Sequence, residues 1–251
     1  MLGLVFAPCC LMVAEVTFSP IAYIQSCYPE RFGIPRQAGL VASAYADIVF
    51  EATEENKLAL RGIEEFSHVW VIFVFHGQSY GDFKPLVRPP RLGGNKSVGV
   101  YATRSPNRPN AIGMSAVKLF GVIEKKRTLR LQVQGGDFLD GTPVIDIKPY
   151  VPYADAIESA QAAWAVEQSS LLSVSWSDEA EAVLIDCVEP GAKKLRCLIE
   201  ETLAQDPRPG YERGKDGREG QRWHMQVSNY SVFWTVEKGV AKVIKLAWVE
   251  R

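Results

Sequence analysis

FSHVWVIFVFHG, residues 66–77, is an almost unbroken apolar run of β-branched and aromatic side chains, with His68 near its start and His76 beside Gly77 at its end. A run this short and this rich in β-formers reads as a buried strand. Working outward, similar runs recur at Val16 to Tyr23, Leu40 to Phe50, Ser97 to Thr103, Ala116 to Glu124, Leu129 to Gln134 and Val144 to Tyr150, bounded by Gly, Pro, Asn or Asp. One helix interrupts them. Thr53 can cap it, Glu54 and Glu55 suit the positive end of its dipole, and Leu58 and Ile63 supply part of an apolar face. Many short strands with turn signals between them predict a mainly β fold whose sheet closes, wholly or partly, into a barrel.

The pattern changes after Tyr150. Residues Ala154 to Glu167 lack Gly and Pro and are rich in Ala, Gln and Glu, which reads as a helical or loose connector. Beyond it the sequence predicts a strand near Ala182 to Val188, a helix near Lys194 to Ala204, and a hairpin whose Glu237-Lys238-Gly239 turn separates Val232 to Val236 from Val240 to Trp248. The expected division is a β-barrel unit over residues 1–155, a connector over 156–177 and a small α+β unit over 178–251.

With 251 residues, 47% of them hydrophobic, and a formal net charge of -1, the chain can bury a sizeable core but has no overall field to hold a polyanion. Any nucleic-acid site must be local. Five cysteines without a CxxC pair argue against a disulfide framework or a cysteine zinc site and suit a reducing, cytoplasmic compartment. The apolar opening MLGLVFAPCCLMV has no basic residue before it and is too short to span a bilayer, so no membrane association is expected. Because Met12 begins a clean strand-like segment, the first eleven residues are expected to derive from an upstream start codon.

Three places carry chemistry. From Asp82 to Arg108, six basic residues (Lys84, Arg88, Arg91, Lys96, Arg104 and Arg108) face the single acid Asp82, among prolines and Gly93-Gly94 that stiffen or free loop backbone. A stiff cationic loop suits phosphate, and guanidinium planes also stack on bases; an ordinary solvated loop would look the same. His76 ends a strand, where sites are often built, although a histidine ending a buried strand is more often a structural group than a ligand. GGDFLDGTPVIDIKPY, residues 135–150, places Asp137, Asp140 and Asp146 around a strong Asp140-Gly141-Thr142-Pro143 turn whose glycines expose backbone to a small ligand. No HExxH or paired-histidine spacing supports a metal. There is no GxGxxG, P-loop, GxSxG or DPPY motif, so a nucleotide-like cofactor would need another fold.

In order along the chain, PRQAGLV (35–41), FSHVWVIFVFH (66–76), RPPRLGGN (88–95), GVYATRSPNRPNAIGMS (99–115) and DGTPVIDIKPYVPYA (140–154) resemble the TsaA-like (TrmO) family of tRNA adenine methyltransferases over most of Phe18 to Asp155. The resemblance implies a single-sheet β-barrel, a homodimer, S-adenosylmethionine as cofactor and no metal. It implies a tRNA substrate, threonylcarbamoyl-adenosine beside the anticodon, methylated on its exocyclic nitrogen. It also implies that Arg36, Gln37, Ala38, His76, Gly77, Arg104, Met114, Leu139, Asp140, Gly141 and Thr142 lie around the cofactor. Arg88, Arg91 and Arg108 are then expected to hold anticodon-loop phosphates or the substrate's carboxylate, since guanidinium binds both bidentately, and Asn95 is expected among the substrate or tRNA contacts.

DPRPGY (206–211) and NYSVFW (229–234) resemble the tRNA-contacting appendage of bacterial members, which adds Asp206, Arg208 and Tyr211 to the expected RNA contacts. Where relatives tend to read Asp-Phe-Asn-Val, this chain has Asn229-Tyr230-Ser231-Val232. The residues do not single out a general base. A non-catalytic RNA-binding module, or an enzyme for a small phosphorylated or carboxylated metabolite, would use the same arginines.

Overall fold

The computed structural model describes residues 16–77, 84–89, 92, 96–165, 170–187, 191–213, 215–218 and 220–250. The expectation for the first eleven residues lies outside them. The first sheet is built from β1 (Ala22–Ser26), β2 (Tyr45–Glu51), β3 (His68–Val74), β6 (Ile112–Lys125), β7 (Thr128–Gln134) and β8 (Pro143–Pro149). A two-stranded ribbon, β4 (Leu86–Val87) and β5 (Val98–Gly99), lies between β3 and β6 in the chain. The order is β1-β2-β7-β6-β3-β8, every pairing is antiparallel, and β8 returns to β1, so the sheet closes on itself.

Alternation drives the closure. Ala46, Ile48 and Phe50 of β2, Val69, Val71 and Phe73 of β3, and Leu129, Leu131 and Val133 of β7 all turn into one buried core. Closure also leaves no unpaired edge. Gly113 sets the close approach of β3 and β6, because it pairs with Phe73 and a Cβ there would lie 2.3 Å from Cζ of that ring. Gly113→Ala is therefore expected to overpack the core and cost about 1–3 kcal/mol, read as a lowered urea midpoint.

The helix after β2 is α1 (Glu54–Ala59), and Thr53 Oγ1 accepts from the Asn56 N–H at 3.2 Å, as the sequence predicts. Leu58 is 61% exposed, so the apolar contribution comes from Ile63 in the following turn, which packs on the closed sheet's core. Several strand expectations need correction. Val16 to Pro20 is exposed irregular chain, and the first strand starts at Ala22. Val41 and Ala44 are buried but lie in a turn, so the second strand starts at Tyr45. Only Val98–Gly99 of the expected Ser97 to Thr103 strand pairs; a 3-10 turn, Val100–Ala102, replaces the rest, with Tyr101 exposed. The expected Ala116 strand begins earlier, at Ile112, which puts Met114 and Ser115 inside β6.

After α2 (Pro152–Asp155) the second unit comprises β9 (Ser173–Trp176), α3 (Asp178–Ile185), α4 (Ala192–Ala204), β10 (Trp223–Val227), β11 (Tyr230–Glu237) and β12 (Val240–Trp248). Its sheet runs β10-β11-β12-β9, with β9 parallel to β12. Strand β9 falls in the stretch expected to be a loose connector. The expected Ala182 to Val188 strand is instead the end of helix α3. Ser177 Oγ accepts from the Ala180 N–H at 3.2 Å, and Asp178, Glu179 and Glu181 occupy the first turn. That start outweighs the short Val-Leu-Ile run. The β11–β12 hairpin turns at Lys238 and Gly239, with φ of 49° and 75°.

The second core is not made by the second unit alone. Cys27, Tyr28, Val41 and Ala44, from the segment linking β1 to β2, are buried in it with Trp234, Leu198 and Met225. The Phe32 ring stacks on Trp234 and Trp223 at centroid distances of 5.9 and 6.4 Å. Polar contacts follow the same seam. Ser43 donates twice to Glu201 Oε2, at 2.8 and 2.9 Å, and the Gln226 N–H donates to Glu30 Oε1 at 2.7 Å. Tyr28 and Thr202 share a buried hydrogen bond of 3.1 Å.

Candidate active site

The antiparallel order brings four stretches to one end of the closed sheet: the β1–β2 segment, the exit of β3, the entry to β6 and the β7–β8 turn. Between them lies a cavity of about 470 Å³. Its apolar wall is Phe73, Phe75, Ile112, Met114 and Leu139, with Ile34, Pro35 and Pro106. Arg31, Arg36, Arg104 and Arg108 supply positive charge, and Asp137 is the single carboxylate among the described lining residues.

The GVYATRSPNRPN stretch holds itself in place. Arg108 Nη1 donates to the carbonyls of Thr103 and Ser105, both at 3.2 Å, so a half-buried guanidinium staples the proline-rich loop that carries Arg104. Arg104 Nη1 donates to Gln37 Oε1 at 2.5 Å, tying this loop to the PRQAG segment. Two sequence motifs far apart in the chain thereby form one rim.

Both ring nitrogens of His76 face the β7–β8 turn. Nε2 donates to the Asp140 carbonyl at 3.1 Å, and Nδ1 lies 3.2 Å from Thr142 Oγ1, which itself donates to the Leu139 carbonyl at 2.7 Å. The histidine clamps the β7–β8 turn to the end of β3. On the other side, Asp140 Oδ1 accepts from the Ser26 N–H at 2.8 Å, and the Asp140 and Gly141 N–H groups bond to the Tyr28 and Ile24 carbonyls.

Asp137 follows the Gly135-Gly136 pair after β7. Ser115 Oγ donates to its Oδ1 at 2.6 Å, and Ser115 is 4% exposed. Burial pushes the Asp137 carboxyl above the usual range, while the Ser115 hydrogen bond, the Ala38 N–H and the Arg104 charge pull it back.

Of the expected cofactor residues, Arg36, Gln37, His76, Arg104, Met114, Leu139 and Thr142 line the cavity. Four others do not line it. Ala38 packs against the core of the closed sheet and reaches Asp137 through its backbone N–H. Asp140 and Gly141 face β1 and build the turn. Gly77 has φ of +72°, and a Cβ there would meet Arg31 Nη2 at 3.4 Å, so it shapes the rim by being small.

Among the expected RNA contacts, Arg108 lines the cavity and Arg88 is exposed just after β4. Arg91 and Asn95 lie outside the described residues. Tyr211 is 68% exposed, but Arg208 is 1% and Asp206 6% exposed, paired through Nε–Oδ1 at 2.7 Å and Nη2–Oδ2 at 2.9 Å. Those two are corrected to architectural residues, because a guanidinium committed to a buried carboxylate has no face for RNA. Sequence reasoning missed Arg31 and Ser115 and left Asp137 out of the site. Arg31 precedes the PRQAG motif without a motif of its own, whereas the Gly135-Gly136 pair was a usable signal for Asp137.

Among the described residues, no helix is long and apolar enough to cross a membrane, and no group of three or more His, Cys, Asp or Glu could hold a metal ion.

A closed sheet with an apolar-walled, arginine-rimmed cavity at one end and an α+β appendage sharing its second core defines a two-unit protein with a cavity of small-molecule size. Residues 23–156 match the tRNA-methyltransferase O N-terminal domain and residues 169–248 the TrmO C-terminal domain, and the chain belongs to that family. The tRNA (adenine(37)-N6)-methyltransferase of Escherichia coli (strain K12) is 42% identical over 235 residues, covering 93% of this chain and 99% of that protein. A Pseudomonas aeruginosa protein provisionally named S-adenosylmethionine-dependent methyltransferase RcsF is 43% identical over 216 residues, 86% of this chain and 90% of its own. A crystal structure of TrmO from Pseudomonas aeruginosa superposes with a TM-score of 0.73 at 34% identity, covering 93% of this chain and 98% of that one.

Proposed function

We propose that this protein transfers the methyl group of S-adenosylmethionine to the exocyclic nitrogen of the adenosine at position 37 of tRNA. The observation that carries this reading is the coincidence of the two-domain family match with a cavity lined by Arg36, Gln37, His76, Arg104, Met114, Leu139 and Thr142. The cavity suits the cofactor: 470 Å³ lies within the roughly 300–1,000 Å³ usual for small-molecule pockets. Its apolar wall fits an adenine and its arginines a carboxylate. When bound, the cofactor supplies an electrophilic methyl on a sulfonium.

The protein's own work is to orient that methyl and the nucleophilic nitrogen and to exclude water. The finer substrate is threonylcarbamoyl-adenosine, whose carboxylate is of the type the Arg31, Arg36 and Arg104 rim binds bidentately. The closed sheet is the family's single-sheet barrel and forms the catalytic unit within residues 1–155. Residues 178–251 form the RNA-binding appendage, with Tyr211 and the Arg88, Arg91 and Asn95 loop contacting the tRNA. The enzyme works as a cytoplasmic homodimer.

Calorimetric titration with S-adenosylmethionine, followed by methyl transfer to tRNA with and without the threonylcarbamoyl group, tests this reading. A non-catalytic RNA module would give no heat with the cofactor. Arg104→Ala removes a charge-assisted contact worth about 1.5–3 kcal/mol, so its cofactor Kd or tRNA KM is expected to rise about 10–100-fold.

A further inference from the structure

Methylating an exocyclic amine leaves a proton to be removed. The lone pair of that nitrogen is delocalised into the ring, and an acceptor beside it raises its nucleophilicity as the new bond forms. Few groups in the cavity can serve. The arginines only donate. His76 is turned into the β7–β8 turn, with Nε2 donating to the Asp140 carbonyl and Nδ1 facing Thr142 Oγ1 at 3.2 Å, so that neighbouring atoms of the turn block an amine from either nitrogen. Asp137 remains, the only carboxylate among the described lining residues, with Ser115 fixing its Oδ1 at 2.6 Å.

We propose that Asp137 is the catalytic acceptor of the amine proton and that Ser115 is its positioning residue. This inference rests on the methyl-transfer reading. As the bond between nitrogen and the methyl carbon forms, the carbon–sulfur bond breaks with its electron pair going to sulfur, and the N–H proton passes to the Asp137 carboxylate. The sulfonium charge is thereby cancelled, and the neutral acid later returns its proton to water.

The surroundings suit this task. Burial lifts the Asp137 carboxyl above its usual range, which makes its ionised form a better acceptor near neutral pH than an exposed aspartate. Arg104 and the Ser115 hydroxyl oppose that lift and keep the ionised form populated. Arg31, Arg36, Arg108 and His76 face the same cavity, and Tyr28, itself pushed up by burial and by nearby negative charge including that of Asp137, lies behind it.

The test uses the full-length protein and its variants Asp137→Asn and Ser115→Ala. Each is titrated calorimetrically with S-adenosylhomocysteine, the inert cofactor product, and assayed by single-turnover methyl transfer to tRNA across pH. Asp137→Asn is expected to fold, because at neutral pH it removes a carboxylate whose ionised form burial disfavours in the folded state. Its affinity for S-adenosylhomocysteine should stay within about threefold of the parent, while its rate falls about 10²–10⁴-fold.

In the parent the rate rises with pH through the raised carboxyl pKa, and Asp137→Asn lacks that limb. In Ser115→Ala the limb moves to higher pH, because a hydrogen bond to the ionised form is gone. An undiminished Asp137→Asn rate beside an active parent overturns this inference alone. Lost S-adenosylhomocysteine binding in Asp137→Asn also overturns it, assigning the carboxylate to holding the ligand. A Ser115→Ala limb that does not move overturns the positioning role. A parent protein that transfers nothing to tRNA overturns the methyl-transfer reading, and this inference with it.

Discussion

Arg208→Ala is expected to lower folding stability by about 3–5 kcal/mol, because it strands the Asp206 carboxylate in a site that excludes water. Arg208 and Asp206 form a two-pronged pair, and Arg208 Nη1 also donates to the Lys215 carbonyl at 3.1 Å. Asp206 is further strained into the left-handed region, with φ of 47°. Together these contacts shape the loop that leaves α4 and presents exposed Tyr211. Urea denaturation reads the loss directly. The double variant Asp206→Asn with Arg208→Met should recover much of it, since desolvation and attraction nearly cancel in a buried pair and only its breaking is costly. Equal destabilisation in the single and double variants would sink the argument.

Phe32→Ala should act on both stability and the cavity. Losing the ring that stacks on the neighbouring Trp223 and Trp234 is expected to cost about 2–3 kcal/mol, below the roughly 3–5 kcal/mol of a fully buried Phe because this one is only partly buried. Its neighbours Arg31, Ile34 and Pro35 line the cavity, 5.9 Å ring stacking being what anchors their segment to the appendage. Without the anchor these residues must be ordered when ligand binds, so cofactor affinity should fall about tenfold, roughly the entropy of fixing one residue. Phe32→Leu, which keeps apolar bulk, should retain most of both. Unchanged titration of Phe32→Ala with S-adenosylmethionine would show that the wall stands without its anchor.

What was legible in the sequence was local. Alternation located most strands of the closed sheet, Thr53 announced its helix, and the Lys238-Gly239 turn fixed its hairpin. The misses come from signals in competition. At Ala182 to Val188 an apolar triplet suggested a strand, but the Ser177 cap and three first-turn acids had already committed the segment to a helix. At Ser97 to Thr103 the residues favour a strand, yet after the Val100 N–H donates to the Pro85 carbonyl the chain closes a 3-10 turn, with the Thr103 N–H on the Val100 carbonyl, and only a two-residue ribbon remains.

The site shows the same division. Motif resemblance found seven of the residues that line the cavity but missed Arg31, Ser115 and Asp137 and also named Asp140 and Gly141, which shape the turn. The DPRPGY resemblance marks Asp206 and Arg208 as RNA contacts, and nothing in a one-dimensional pattern tells an internal ion pair from a solvated one. The Ser115–Asp137 contact joins β6 to the turn after β7, and only the register of those strands brings the two side chains together.

The shared second core limits how such a protein can be rearranged. Tyr28, Val41 and Ala44 are buried by α4 and the second sheet although they belong to the segment that also forms the cavity rim. Dispensing with the appendage would lay this apolar seam open to water at the ligand's doorstep. Removing the α+β unit therefore requires recasting the β1–β2 segment, so the stability of the cavity wall and that of the appendage are coupled.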